Sequence, residues 1–205
     1  MKPILFNTEM VRAILEGRKT ITRRVVKDMD IINGWDCEAD GTPIAYIDQA
    51  TGDSYPPTMP CPHHPGDILW VRETWAAWSP TYGVAPKLYY KADGDAPAGI
   101  KWRPSIHMPK EAARIFLRVK GVRVERLKDI TPEQIDAEGC KEWAYSATTG
   151  ELLPSGPSWF IIAWDNTLKP ADRALYGWEA NPWVFVIEFE RISSPPEGEE
   201  EQDGV

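Results

Sequence analysis

Between Asn7 and Gly17 the apolar residues Val11, Ile14 and Leu15 recur at the spacing of one helix face, with polar residues between them. Asn7 or Thr8 can cap the start of this short helix and Gly17 suits its end. The period then changes. Pro65-Gly66-Asp67 marks a turn, and the five residues that follow alternate, Leu69 and Val71 against Ile68, Trp70 and Arg72, which predicts a strand. Lys-Leu-Tyr-Tyr-Lys-Ala-Asp, from Lys87, reads as another strand ending in a turn. From Arg114 to Leu127, Phe116, Arg118 and Lys120 oppose Leu117 and Val119 until the phase shifts near Gly121, so either two strands or one bent strand is expected. Thr131, Pro132 and Gln134 are the cap, the first helical proline and the third-position glutamine of a capping box. That helix ends near Gly139, which sets Glu138 in its last turn. Ser158 to Leu168 predicts a further helix, and Asn181 to Ile192 a closing strand rich in β-forming residues.

Residues 28–64 show no sustained periodicity and read as a long loop carrying a hairpin around Gly41 to Ser54. Beyond Ser193 the Pro, Gly and Glu content predicts a disordered tail. An early helix, several strands, a short helix and a final strand suggest an α+β domain whose sheet closes into a small barrel. At 205 residues and 23.2 kDa the chain fits one domain, taken as residues 1–192 followed by the acidic tail 193–205.

Composition narrows the class. Hydrophobic residues at 42% and charged residues at 26% are ordinary for a globular protein. No apolar run is long enough to span a membrane, and the N-terminus turns polar too soon for a signal peptide, so a cytoplasmic protein without a membrane partner is expected. Cys37, Cys61 and Cys140 are odd in number and irregular in spacing, which implies reduced thiols. The net charge of −8 argues against a polyanionic partner, but it is unevenly spread. Five acids fall in the last nine residues, whereas residues 1–27 hold seven basic residues against Glu9 and Glu16. A localised anionic partner therefore remains compatible with the acidic total.

The densest chemistry in that basic region is Gly-Arg-Lys-Thr-Ile-Thr-Arg-Arg, Gly17 to Arg24. On composition alone such a run after a helix is a solvated face, favoured by the helix dipole. Cys61, His63 and His64, with Cys37 upstream, invite a zinc reading, but Cys-x-His is too tight and no second ligand pair completes the set. The bland alternative is a Pro-rich loop with exposed histidines. His107 lies between apolar residues and is expected to be a packed core histidine. Nucleophile elbows, phosphate loops and dinucleotide fingerprints are absent, leaving nucleotide triphosphate chemistry and hydride transfer without support. Of the ten tryptophans, Trp70, Trp75, Trp78 and Trp102 lie near predicted strands. Most belong to the core; Trp70 or Trp75 is expected to wall a pocket for a flat base, with Arg72 and Tyr89 as weaker candidates.

Gly17, Lys19 and Arg24 resemble the Gly-x-Lys-x-x-x-x-Arg signature of ASCH domains, a branch of the PUA-like β-barrel superfamily associated with RNA. Many members carry Glu three residues after the lysine; Thr22 stands there in this chain. Thr at that position is the pattern of the small bacterial N4-acetylcytidine amidohydrolases, whose catalytic set is a Lys, a Thr and a distant Glu. Pro-Gly-Asp-Ile-Leu-Trp-Val, Ile-Thr-Pro-Glu-Gln-Ile-Asp-Ala-Glu-Gly and Val-Phe-Val-Ile-Glu-Phe-Glu-Arg-Ile resemble further segments of that family, and the second puts Glu138 at the glutamate position. The chain is longer than those compact enzymes, with extra material near 28–64, 74–113 and 141–180. In that respect it resembles ASCH-type proteins of phages and prophages.

The resemblance implies that Lys19, Thr22 and Glu138 are catalytic, that Arg23, Arg24, Trp70, Arg72 and Trp75 contact substrate, and that neither metal nor other cofactor is needed. The implied substrate is a small modified nucleoside, N4-acetylcytidine or a related N4-acylated cytosine. The alternatives are a non-catalytic module that binds single-stranded RNA or a modified base, and a phage accessory protein that binds another protein.

Overall fold

The computed structural model describes residues 1–27, 32–38, 42–48, 50–55, 61–79, 85–140, 144–145, 152–153 and 157–194. Its strands are β1 (Lys2–Leu5), β2 (Ile21–Val25), β3 (Ile32–Cys37), β4 (Pro43–Asp48), β5 (Ser54–Tyr55), β6 (Ile68–Arg72), β7 (Trp75–Trp78), β8 (Lys87–Tyr90), β9 (Phe116–Arg126), β10 (Ala144–Tyr145), β11 (Leu152–Leu153) and β12 (Trp183–Ile192). The helices are α1 (Thr8–Leu15), α2 (Pro132–Ala137), α3 (Pro157–Thr167) and α4 (Arg173–Tyr176). The chain is thus mixed α+β, mostly sheet with a few short helices. Its contacts gather into two compact units, each assembled from separate stretches of sequence.

The first unit takes Met1–Gly17, Gly66–Arg118 and the chain from Glu190. Asn7 caps α1 by accepting from the Met10 N–H at 2.9 Å, and Val11, Ala13 and Ile14 form the buried face. β1 runs parallel to β6, Lys2 opposite Leu69, and β6 pairs antiparallel with the start of β9, Trp70 opposite Phe116. Ile68, Leu69, Trp70 and Val71 are all buried, so both faces of β6 are covered. β7 and β8 form a hairpin above a small core of Trp75, Met108 and Ala112.

Glu73 is a charged residue inside this unit, 1% exposed. Arg114 answers it with two hydrogen bonds, Nε to Oε1 at 2.9 Å and Nη2 to Oε2 at 3.1 Å. The same guanidinium holds both carboxylate oxygens of Asp93, at 2.7 and 2.8 Å, and its carbon lies 3.9 Å from the centre of the Tyr90 ring. Burial still pushes the Glu73 carboxyl above its ordinary value, with Arg114 opposing.

The second unit takes Arg18–Pro65 and Val119–Phe189. The later half of β9, β12 and β2 lie side by side, and β12 pairs antiparallel with β2 from Val184 opposite Val25 to Glu188 opposite Ile21. Leu127, Ile135, Cys140, Phe160, Trp164, Val184 and Val186 form its core, joining α2, α3 and β12. Thr131 accepts from the Gln134 N–H while the Gln134 side chain accepts from the Thr131 N–H, so the capping box is complete.

β9 is one continuous strand; its buried residues pass from Leu117 and Val119 to Val122 across Gly121, the phase shift visible in the sequence. The expected hairpin near Gly41 to Ser54 is present as β4 and β5, with Tyr46 opposite Tyr55 and Ile47 opposite Ser54. The flanking segment is not a long loop, however: β3 adds a third strand, and Trp35 packs edge-on against Trp183 and Phe185. No closed barrel forms among the described residues. The extra chain pairs with itself in three small separate sheets, β3-β4-β5, β7-β8 and β10-β11. Local hairpins close short loops and so lose less chain entropy than a distant seam.

The histidine expectations also change. His107 is exposed, at the end of a single 3-10 turn in which Ile106 is 58% exposed; of its apolar neighbours only Met108 enters the core, and the histidine does not follow it. Of the two histidines in the Pro-rich loop, His63 is buried and His64 is exposed. The predicted tail lies outside the described residues from 195 onward. Among the described residues no helix is long and apolar enough to cross a membrane.

Arg114→Met leaves Glu73 buried without its cation and should cost about 3–5 kcal/mol in urea denaturation; a loss under about 1 kcal/mol would mean the pair is effectively solvated. Because the folded carboxyl binds its proton more tightly than the unfolded one, wild-type stability relative to Glu73→Gln should fall as pH rises above 4.5.

Candidate functional site: a buried ion chain around Lys19

Lys19 reaches its place through backbone pairing. The Thr20 N–H donates to the Ala137 carbonyl at 2.8 Å, the Phe189 N–H to the Thr20 carbonyl at 2.9 Å, and Lys19 and Glu138 form an antiparallel bridge. Glu138 is the C-terminal cap of α2, its N–H donating to the Gln134 carbonyl at 2.9 Å. Gly139 follows at φ 87°, the left-handed conformation that turns the chain out of the helix. Arg18 donates to the Gly139 carbonyl at 2.6 Å, fastening the same turn.

On that frame the Lys19 ammonium meets the end of α2. Nζ donates to Glu138 Oε2 at 2.6 Å and to the Glu138 carbonyl at 3.0 Å. The lysine side chain is fully buried and that of Glu138 is 7% exposed. Burial pulls the Lys19 pKa below its ordinary 10.5; the charge and hydrogen bond of Glu138 pull it back, and Arg24 adds to the lowering. Cys140, buried beside the pair, has its thiol pushed up to about 12, first by burial and then by the Glu138 charge. It is a packed, protonated thiol at neutral pH.

Arg23 lies on the other oxygen of Glu138. Its Nη1 donates to Oε1 at 3.1 Å, while Nη2 donates to Glu125 Oε1 at 2.6 Å and to Gln134 Oε1 at 2.7 Å. Its side chain is 1% exposed, and the guanidinium carbon lies 6.0 Å from the centre of the Phe160 ring on α3. Glu125 Oε2 accepts from Arg123 Nε at 3.2 Å, and Arg123 also pairs with Glu188. Lys19, Glu138, Arg23, Glu125, Arg123 and Glu188 thus alternate in sign from the interior to a half-exposed edge. Thr22 and Arg24 alternate with Arg23 along β2; the buried Thr22 hydroxyl accepts from Arg24 Nη1 at 2.8 Å and keeps its own hydrogen to donate, and the charge of Arg24 acts on Lys19 and Glu138.

The structure therefore brings Lys19, Arg23 and Glu138 into direct contact and joins Thr22 to Arg24. Arg23, grouped with the substrate contacts in the sequence, is turned inward. Trp70, Arg72 and Trp75 belong to the first unit. There Arg72 donates from Nε to the Met108 carbonyl at 3.2 Å and lies over the Trp70 ring, while Trp75 is 5% exposed beneath Arg103. Trp102 lines a cleft of about 300 Å³ with Arg12 and Lys91. Glu125 and the second role of Gln134 escaped the sequence reading, since nothing local marks which strand acid will face a helix end. Among the described residues no group of three His, Cys, Asp or Glu could hold a metal ion.

Comparison with family models, with curated protein sequences and with solved structures finds no match. The functional reading rests on the side chains themselves.

A lysine whose pKa is lowered by folding releases its proton earlier in the folded state than in the unfolded chain. Stability of the wild type relative to Lys19→Met should therefore rise with pH in the window below 10.5 and level above it. A flat difference across that window would show that burial leaves the ammonium unperturbed.

Proposed function

We propose that the chain is a PUA-like protein of the ASCH type and an amidohydrolase that removes the acyl group from N4-acetylcytidine or a closely related N4-acylated cytosine nucleoside. The observation that supports this most is the 2.6 Å contact between a fully buried lysine and a carboxylate. A desolvated lysine is one of the few side chains that can act as a base near neutral pH without a metal.

Amide hydrolysis needs an activated nucleophile, stabilisation of the tetrahedral oxyanion and a proton for the leaving amine. An acyl-lysine would itself be an amide, as hard to cleave as the substrate, so Lys19 acts as a base toward water. Water oxygen bonds to the acyl carbon as the neutral Lys19 amine takes one of its protons. The Thr22 hydroxyl donates to the oxyanion. The new ammonium passes a proton to Glu138, which delivers it to N4 as the carbon–nitrogen bond breaks. Cytidine and the free acid leave, and the neutral lysine and the carboxylate are regenerated. Arg24, holding the Thr22 oxygen at 2.8 Å, fixes the direction of that hydroxyl.

A binding module that reads RNA phosphates would leave its cations open to solvent, whereas Lys19 and Arg23 are buried and paired. That contrast favours the enzyme over the reader.

Purified protein incubated with N4-acetylcytidine should release cytidine, followed by chromatography, and Lys19→Ala should lower the rate by about 10² to 10⁴ while keeping its circular dichroism spectrum. Turnover retained in Lys19→Ala, or folded wild type that releases nothing and instead binds RNA with strong salt dependence, would overturn the assignment.

A further inference from the structure

The mechanism above starts from one charge state, a neutral Lys19 beside an ionised Glu138. If those two groups were alone, that state would be costly, because losing the lysine proton would strand a carboxylate in the interior. Arg23 removes the difficulty. It touches Glu138 through Oε1 at 3.1 Å, while Lys19 uses Oε2 at 2.6 Å, so each cation has an oxygen of its own. A guanidinium, unlike an ammonium, carries its charge throughout the pH range in which proteins fold.

The geometry points to Arg23 as a positioning residue: it holds the Glu138 carboxylate on the oxygen not used by Lys19 and supplies the permanent counter-charge that lets the lysine give up its proton. The proposal rests on the amidohydrolase reading for its catalytic meaning, but the electrostatic part stands without it. Arg23 is itself anchored twice, by Glu125 at 2.6 Å and by Gln134 at 2.7 Å. Gln134 Oε1 also accepts from the Thr131 N–H at 3.0 Å, so the capping box at the start of α2 and the carboxylate at its end are tied through one arginine. Among charged and titratable groups, Lys19 faces Glu138 and Cys140 from the end of α2, and Arg24 from β2. Arg23 acts on it through Glu138, Glu125 acts through Arg23, and Arg18 is held on the Gly139 carbonyl.

Two opposite substitutions test this. Arg23→Gln removes one of the cations that hold the Glu138 carboxylate and leaves it to Lys19 and the charge of Arg24, so the lysine should hold its proton more tightly. Its titration, followed by NMR of the side-chain ε-carbon, should move up by about one unit or more. The acid limb of kcat/KM on N4-acetylcytidine should move up with it, and activity lost at pH 7 should return as pH is raised. Arg23→Lys, which keeps the charge, should leave the limb in place and lower kcat through looser geometry. Glu125→Gln removes the competing anion and should move the same titration down. It serves as the deciding variant if Arg23→Gln does not fold.

A Lys19 titration that stays put in Arg23→Gln, or in Glu125→Gln where only that variant folds, would overturn the proposal, as would one that moves in the opposite direction. Shifts of the expected sign in a protein that does not hydrolyse N4-acetylcytidine would keep the positioning role and reject only the substrate.

Discussion

A lysine ammonium with no exposed surface can exist only if something nearby answers its charge, and the second unit is arranged around that requirement. Glu138 supplies the answer from the last turn of α2, which in turn must end where Gly139 bends away. The capping box and Gly139 fix the ends of α2, the backbone bridge joins it to Lys19, and together they place the two groups in their 2.6 Å contact. Ion pairs of this kind seldom add net stability over an apolar substitute of similar volume, because desolvation offsets the attraction. A buried pair of this kind is better explained by chemistry than by scaffolding, and that is the physical root of the proposed function.

The two units handle buried charge differently. In the first, Glu73 is clamped by a guanidinium that also holds Asp93 and lies over Tyr90, a closed arrangement in which the available nitrogens are taken. In the second, one of the cations hydrogen-bonded to Glu138 is an amine, whose proton can leave. The proposed mechanism uses that difference, leaving the first pair fixed while the second changes its charge. Arg23, Glu125, Arg123 and Glu188 extend the second cluster toward the surface and spread its field over several residues.

Much of this was legible in the sequence where the determinant is local. Thr131, Pro132 and Gln134 announced α2, Gly139 announced its end, and Glu138 was thereby placed in the last turn. Asn7 announced α1, and the apolar run to Ile192 announced β12. What could not be read was orientation. A run of Arg18, Lys19, Arg23 and Arg24 looks the same whether it faces water or the interior. Lys19 is buried and paired, and Arg23 turned inward, by partners more than a hundred residues away. The described residues form no closed barrel, and within 28–64, where periodicity is lacking, short strands pair with their neighbours in the chain. His107 shows the converse: Met108 beside it is buried, yet Ile106 and His107 itself are exposed.

The contact on which all this depends can be measured directly with a double-mutant cycle on folding free energy, using Lys19→Met, Glu138→Gln and the combined variant. A coupling of about 2–3 kcal/mol is predicted, because each single change takes the direct partner from a buried polar group, whereas the double change removes both members of the contact at once. Single effects that add to within about 0.5 kcal/mol would contradict a direct buried pair and, with it, the chemistry assigned to Lys19.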